Sequence, residues 1–180
     1  WGTSSRKMHL NTSKYFTCNC IRCQDPTELG THFSSLKCGI CPGMVTPPAI
    51  NPDSGDWKCV ECDTIIVSQS VADLLRTRGE LLSNLDGNLI ASEDFLRTTA
   101  DEFAENHHYR VDVKIALIHI MRRETESQDR LVIENLLRKK LKLCKEVMAI
   151  IDVFMPGNYP EMNLLASCYL RSYSMEILVG

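Results

Sequence analysis

Seven of the nine cysteines fall between Cys18 and Cys62, and their spacings suit metal chelation. Cys38-x2-Cys41 and Cys59-x2-Cys62 form a C-x2-C-x17-C-x2-C array. Two cysteines in a tight knuckle can aim both thiolates at one ion, and two such knuckles complete a tetrahedral four-sulfur site with bonds of ~2.3 Å. Soft thiolates in that array select zinc over magnesium or calcium. The loop between the knuckles is short and rich in proline, which fits a segment organised by metal rather than by core packing. Four thiolates also hold iron–sulfur clusters. Free or redox cysteines are the plainer alternative, but they need no paired knuckles.

The other group is Cys18-x-Cys20-x2-Cys23. Three thiolates this close can share one ion, yet a structural zinc takes four ligands, so the group is one donor short. His9, Asp25, His32 or a cysteine from outside these 180 residues are the candidates. His9 and His32 lack a matching spacing and read first as ordinary solvent-facing histidines. Neither sulfur group offers an open coordination position, which favours structural over catalytic zinc.

The elements that must position these sulfurs divide the chain into a cysteine-rich module, residues 1–67, and a helical domain, residues 68–180. Residues 1–17 read as an approach segment, with Tyr15-Phe16-Thr17 suited to a short extended strand. Residues 18–65 carry Pro42, Gly43, Pro47, Pro48, Pro52 and Gly55, which predict loops and knuckles and leave no room for a helix. From about residue 68 the texture is helical. Helices are expected near 69–85, stopped by Asp86-Gly87-Asn88, and near 92–105, with Ser92 as N-cap ahead of Glu93 and Asp94. Others are expected at 109–123, at 128–155 and at 161–178. In the long fourth helix the apolar stripe reads Ile133, Leu137, Leu141, Cys144, Met148, Ile151 and Met155, and Pro156-Gly157 ends it. The fold class is therefore mainly α with an irregular N-terminal zinc module. The helical part reads as an antiparallel bundle or a tetratricopeptide-like array, without a clean 34-residue repeat.

Composition narrows the function classes. A 44% hydrophobic content permits a packed core. The net charge of −3, with no long basic run before residue 138, argues against direct nucleic-acid binding through phosphate neutralisation. No stretch approaches the ~20 apolar residues of a membrane span. The opening residues lack the apolar stretch of a signal peptide, and an odd cysteine count disfavours a disulfide scaffold. These features point to a reducing compartment, nucleus or cytoplasm. The start at Trp1 and the end at Gly180 lead us to expect a piece of a longer protein.

The run Lys14-Tyr15-Phe16-Thr17-Cys18-Asn19-Cys20-Ile21-Arg22-Cys23-Gln24-Asp25-Pro26 resembles the post-SET segment of the SET- and MYND-domain lysine methyltransferases. Thr27 to Thr31, Leu36-Lys37-Cys38 and Trp57-Lys58-Cys59-Val60-Glu61-Cys62 are similar to the arthropod branch of that family. Glu105-Asn106-His107-His108-Tyr109, Asp112-Val113-Lys114, Arg138-Lys139, Lys142-Leu143-Cys144 and Pro156-Gly157 resemble its helical C-terminal domain. The resemblance implies a parent enzyme that moves a methyl group from S-adenosylmethionine to a protein lysine, on a histone or another chromatin protein. It implies that Cys18, Cys20 and Cys23 share zinc with a fourth cysteine of the SET core, and that Phe16 lies against the cofactor's adenine. Lys14 stands where the family has a tyrosine-like residue. The family's Asn-His-Ser-Cys run, its glycine-rich cofactor loop and its MYND finger do not occur in this sequence, so the chain alone is expected to be inactive. Asn158-Tyr159-Pro160-Glu161-Met162 also departs from the family. The alternative is a non-catalytic, zinc-organised protein-interaction module.

Other features carry less. Asn11-Thr12-Ser13 matches a glycosylation acceptor without a secretory context. His107 and His108, if helical, diverge by ~100° and do not make a ligand pair. His119, Cys144 and Cys168 read as packing or edge residues. Arg138-Lys139-Lys140 reads as a solvated helix face that could touch an acidic partner.

Overall fold

The computed structural model describes residues 1–48, 55–124 and 130–156. Among them, six helices and four short strands follow in the order α1 (Thr3–Lys14), α2 (Ile21–Gln24), β1 (Leu36–Lys37), β2 (Met44–Thr46), β3 (Trp57–Cys59), β4 (Ile65–Ile66), α3 (Ser68–Ser83), α4 (Leu89–Thr98), α5 (His108–Glu124) and α6 (Arg130–Phe154). The chain is thus mainly helical with a small antiparallel sheet. The helix expected at 161–178, Asn158 to Met162 and Cys168 lie outside the described residues.

The cysteine-rich stretch is more regular than its composition suggests. Its strands form an antiparallel meander, β1-β2-β3-β4, in which Leu36 faces Val45, Val45 faces Cys59, and Trp57 faces Ile66. Strands of two or three residues are too short to show a period in sequence, which is why loops alone were expected there. The short helix α2 likewise corrects the reading that no helix fits in 18–65. A second correction is α1. Its sequence is polar with no apolar stripe, and its N-terminal end is set by contacts with residues distant in the chain. Thr3 N donates to Glu28 Oε1 at 3.1 Å and to Ser34 Oγ at 3.1 Å, and Tyr15 closes the helix in a left-handed conformation at φ 56°. Tyr15 to Thr17 form no strand.

By internal contacts the chain divides into two units, 1–84 with 95–110, and 85–94 with 111–180. In the first, Leu36, Val45, Trp57, Cys59, Val71 and Phe103 form the core, with Cys38, Cys41, Ile66, Leu74, Leu75 and Tyr109 packed against it. Helix α3 therefore docks on the sheet rather than standing apart from it. Burying a ring such as Phe103 is worth roughly 1.5–3 kcal/mol. The segment 102–104 lies along the free edge of β1, with Lys37 N donating to Glu102 O and Ala104 N to Ser35 O. That edge is thereby paired rather than left open. Tyr109 Oη donates to Leu75 O at 3.1 Å. Gly79 makes room for it, since a Cβ there would lie 2.9 Å from that oxygen.

In the second unit, α6 buries Leu137, Lys140, Leu143, Cys144, Val147 and Ile150. The expected stripe shares Leu137 and Cys144 with this set, but Leu141, Met148 and Ile151 are only partly buried and Met155 is exposed. Apolar residues cover a wide arc of α6, and packing chose one side of it. Lys140 is 5% exposed, so the basic run is not a solvated face throughout; its aliphatic stem fills the stripe. Buried Lys114 of α5 pairs with Glu146 of α6 at 2.8 Å, and Lys139 pairs with Glu93. Helix α4 starts at Leu89, not Ser92. Asn88 Oδ1 accepts from Ala91 N at 3.0 Å and is the cap, while the Ser92 hydroxyl is buried.

Candidate metal centres

Both sulfur groups lie in the first unit. At the ends of the β1–β2 and β3–β4 hairpins the chain turns twice in the same way. Cys38 N donates to Gly43 O at 3.0 Å and Cys59 N to Thr64 O at 2.8 Å, so each knuckle is closed across five residues. Inside each turn the amides point at sulfur: Ile40 N to Cys38 Sγ at 3.5 Å, Gly43 N to Cys41 Sγ at 3.3 Å, and Glu61 N to Cys59 Sγ at 3.5 Å. Such N–H groups favour the thiolate over the thiol.

The pairing of β2 with β3 brings the knuckles together. Cys38 Sγ lies 3.7 Å from Cys62 Sγ, and Cys41 Sγ 3.5 Å from Cys59 Sγ. All four sulfurs fall within 4.8 Å of one another. A tetrahedron with bonds of ~2.3 Å has edges of about 3.8 Å, so the spacing is that of one shared ion. A disulfide needs about 2.05 Å, and a multi-iron cage holds its thiolates further apart. Gly43 permits this approach, because a Cβ there would sit 2.4 Å from Glu61 Cγ and 3.0 Å from Cys59 Sγ.

Surroundings act in opposite directions on Cys38, Cys41 and Cys62. The Thr64 hydroxyl and amide bring Cys62 down to about 6, and the Ile40 and Cys41 amides lower Cys38. Against the lowering amide of Gly43, the hydrogen-bonded sulfurs of Cys62, Cys59 and Cys38, together with desolvation, push Cys41 up to about 12.

The second group forms where the loop after α1 enters α2. Cys18, Cys20 and Cys23 also lie with their sulfurs within 4.8 Å. Arg6 of α1 reaches into them, its Nη2 donating to Cys23 Sγ at 2.7 Å and to Cys20 Sγ at 3.4 Å. The guanidinium hydrogen bond brings Cys20 down to about 6, whereas burial pushes Cys23 up to about 11. Sequence reasoning passed over Arg6, because nothing in its spacing ties it to cysteines 14 and 17 residues on. None of the three in-chain candidates for a fourth donor joins the group among the described residues. His9 stacks edge-on to Trp1 with ring centroids 4.8 Å apart and hydrogen-bonds to Ser13. Asp25 accepts from Thr27 N and Leu29 N at 2.8 and 2.7 Å. His32 Nδ1 is 3.1 Å from Ser35 Oγ.

A buried ion pair supports this second group. Glu28, fully buried, accepts from Arg22 Nε at 3.1 Å and Nη2 at 2.8 Å, and the Ser34 hydroxyl donates to it. Since Glu28 also holds Thr3 N, one carboxylate ties α1, α2 and the loop before β1. Phe16, two residues before Cys18, is 49% exposed. His107 and His108 do not diverge as successive residues of one helix would. His107 precedes α5 and stacks on Phe103 at 4.1 Å, and the two imidazoles lie 4.2 Å apart. Burial pushes both histidines down, His108 to about 4.

These features define a cysteine-rich module that could hold two metal ions, followed by helices. No protein-family model matches the chain. Over 74 residues, 40% of its length, it is 40% identical to isoform B of the SET domain-containing protein SmydA-8 of Drosophila melanogaster. It is 36% identical to isoform A over the same length. Over those 74 residues the chain is therefore similar to a SMYD-type SET domain-containing protein, as the resemblance implied. The matched region spans 16% of the length of each of these relatives.

Proposed function

We propose that this chain is the post-SET and C-terminal helical part of an S-adenosylmethionine-dependent protein lysine methyltransferase of the SET/MYND type. On this reading both sulfur groups hold structural zinc. Cys38, Cys41, Cys59 and Cys62 complete one site, and Cys18, Cys20 and Cys23 take a fourth thiolate from the SET core. Phe16 forms one wall of the cofactor site, where an exposed aromatic face suits the flat adenine. The cofactor supplies the methyl group; these residues supply zinc-held shape and a stacking surface, and no general base. The substrate is a lysine on a histone or other chromatin protein, met in the nucleus or cytoplasm. The observation that carries the reading is a three-sulfur cluster without a fourth donor among the described residues, beside an exposed Phe16, in a relative of a SET domain-containing protein.

The test has two arms. The chain alone, incubated with S-adenosylmethionine and histones, is expected to transfer no methyl group. The chain extended upstream to an Asn-His-Ser-Cys segment is expected to bind S-adenosylmethionine, and Phe16→Ala to weaken that binding about tenfold, near 1.4 kcal/mol. Turnover by the chain alone, or an extended form indifferent to Phe16→Ala, overturns the reading.

The second reading is a zinc-organised interaction module in which the helices take a partner protein. The self-complete four-sulfur site favours it, since that site needs nothing from outside the chain. Under this reading the extended form binds no S-adenosylmethionine.

A further inference from the structure

Arg6 sits against the three-sulfur group in a way that packing alone does not require. It lies one turn into α1, whose first amide is fixed by Glu28 and Ser34, and its side chain is thereby aimed at α2. Its Nη2 reaches both Cys23 Sγ and Cys20 Sγ, while its Nε is buried without an acceptor. A guanidinium has no lone pair to give and stays charged, so it cannot be the missing ligand. Its donors can, however, hydrogen-bond to sulfurs whose remaining lone pairs are on an ion.

We propose that Arg6 is an outer-sphere partner of the three-cysteine metal centre, a positioning residue that neutralises charge on the Cys20 and Cys23 thiolates and orients them. The inference rests on the zinc reading above. Three thiolates around one divalent ion leave one excess negative charge, and four leave two. A fixed guanidinium removes one of these in either case. The four-cysteine centre has no such cation among the described residues and relies on backbone amides for the same task. Outer-sphere partners of metal ligands typically carry a 10–100-fold share of affinity.

The experiment uses the whole reduced chain and two variants, Arg6→Met, which removes charge and donors, and Arg6→Lys, which keeps a cation and a donor. Zinc is withdrawn by a competing chelator, and cobalt(II) is titrated in place of zinc. Two equivalents are expected to bind. In Arg6→Met the weaker equivalent loses 10–100-fold in affinity and its sulfur-to-cobalt charge-transfer band moves to lower energy, because the thiolates lose their hydrogen bonds. The tighter equivalent stays unchanged. Arg6→Lys restores most of both properties, which a merely structural role for the side chain would not do for the band. Two equivalents with unchanged affinity and spectrum in Arg6→Met overturn the role of Arg6 alone. Binding of a single equivalent by the parent chain overturns the two-centre reading and the role of Arg6 with it.

Discussion

The two sulfur groups of the first unit are built from the same chemistry and differ in what completes them. The Cys38/Cys41/Cys59/Cys62 group closes on itself: two matching knuckles are held by sheet register, and backbone amides serve all four sulfurs. Cys59 belongs to the hydrophobic core that seats α3. The Cys18/Cys20/Cys23 group lies outside that core, is short of one donor among the described residues, and is braced by side chains, Arg6 on the sulfurs and Glu28 behind them. On the proposed reading, the contrast separates a centre that makes a fold from one that joins a fold to something else. Sulfurs merged with a core lend their binding energy to folding; sulfurs at an edge lend it to the contact that supplies the last ligand.

The largest expected effect comes from breaking the first centre. Chelation, or Cys59→Ala, should remove on the order of 10 kcal/mol of metal-linked folding energy. The buried Trp57, 3% exposed, should then take on the fluorescence of a solvated indole. A Trp57 signal that survives exhaustive chelation would show that the sheet stands without metal.

A smaller effect should come from acid. His108 N and Nδ1 both donate to Phe33 O, at 2.8 and 3.2 Å, joining the loop before β1 to the start of α5. Burial holds this imidazole at about 4, against 6.5 when unfolded. Below pH 6.5 the unfolded chain takes up a proton that the native form refuses, so stability falls as pH drops from 6.5 to 4 and the loss then levels off. Its size is on the order of 3 kcal/mol. Denaturant titrations of the parent and of His108→Gln at each pH isolate this contribution, because metal loss is common to both. Parallel curves would exclude it.

Gly43→Ala sharpens the comparison within the first centre. Its Cβ has no room against Glu61 and Cys59, so the knuckles must part. A 10–100-fold loss of zinc affinity is expected, about 1.4–2.7 kcal/mol. An unchanged affinity in chelator competition would mean that the turn yields without strain.

The smallest effect should follow Cys20→Ser. Cys20 is exposed and outside the core, so one zinc equivalent should go while the Trp57 unfolding midpoint moves by less than about 1 kcal/mol. A collapse as severe as that of Cys59→Ala would erase the distinction between the two centres.

Much of this was legible in the residues. The cysteine spacings identified both groups and their unequal ligand counts, and the helical texture placed three helices within two residues of where they occur, while the one expected at 92–105 runs from Leu89 to Thr98. The misses have specific causes. Helix α1 is polar and held by Glu28 and Ser34, so no local signal announced it. The Ser92 cap was displaced by Asn88, which sits at the true first turn. Along α6 the apolar residues span more than one face, and only the docked surface separates Val147 and Ile150 from Met148 and Ile151.

The sequence by itself determined which atoms can chelate and which segments can coil, because both depend on residue type at separations of two to four. Tertiary structure decided what lies beside them. Arg6 meets Cys23 across 17 residues, Glu28 caps a helix 25 residues away, and Phe103 lies along β1. These encounters depend on how the chain folds back, and no local pattern encodes that, because a polar side chain gains a partner only after the loop carrying it has closed.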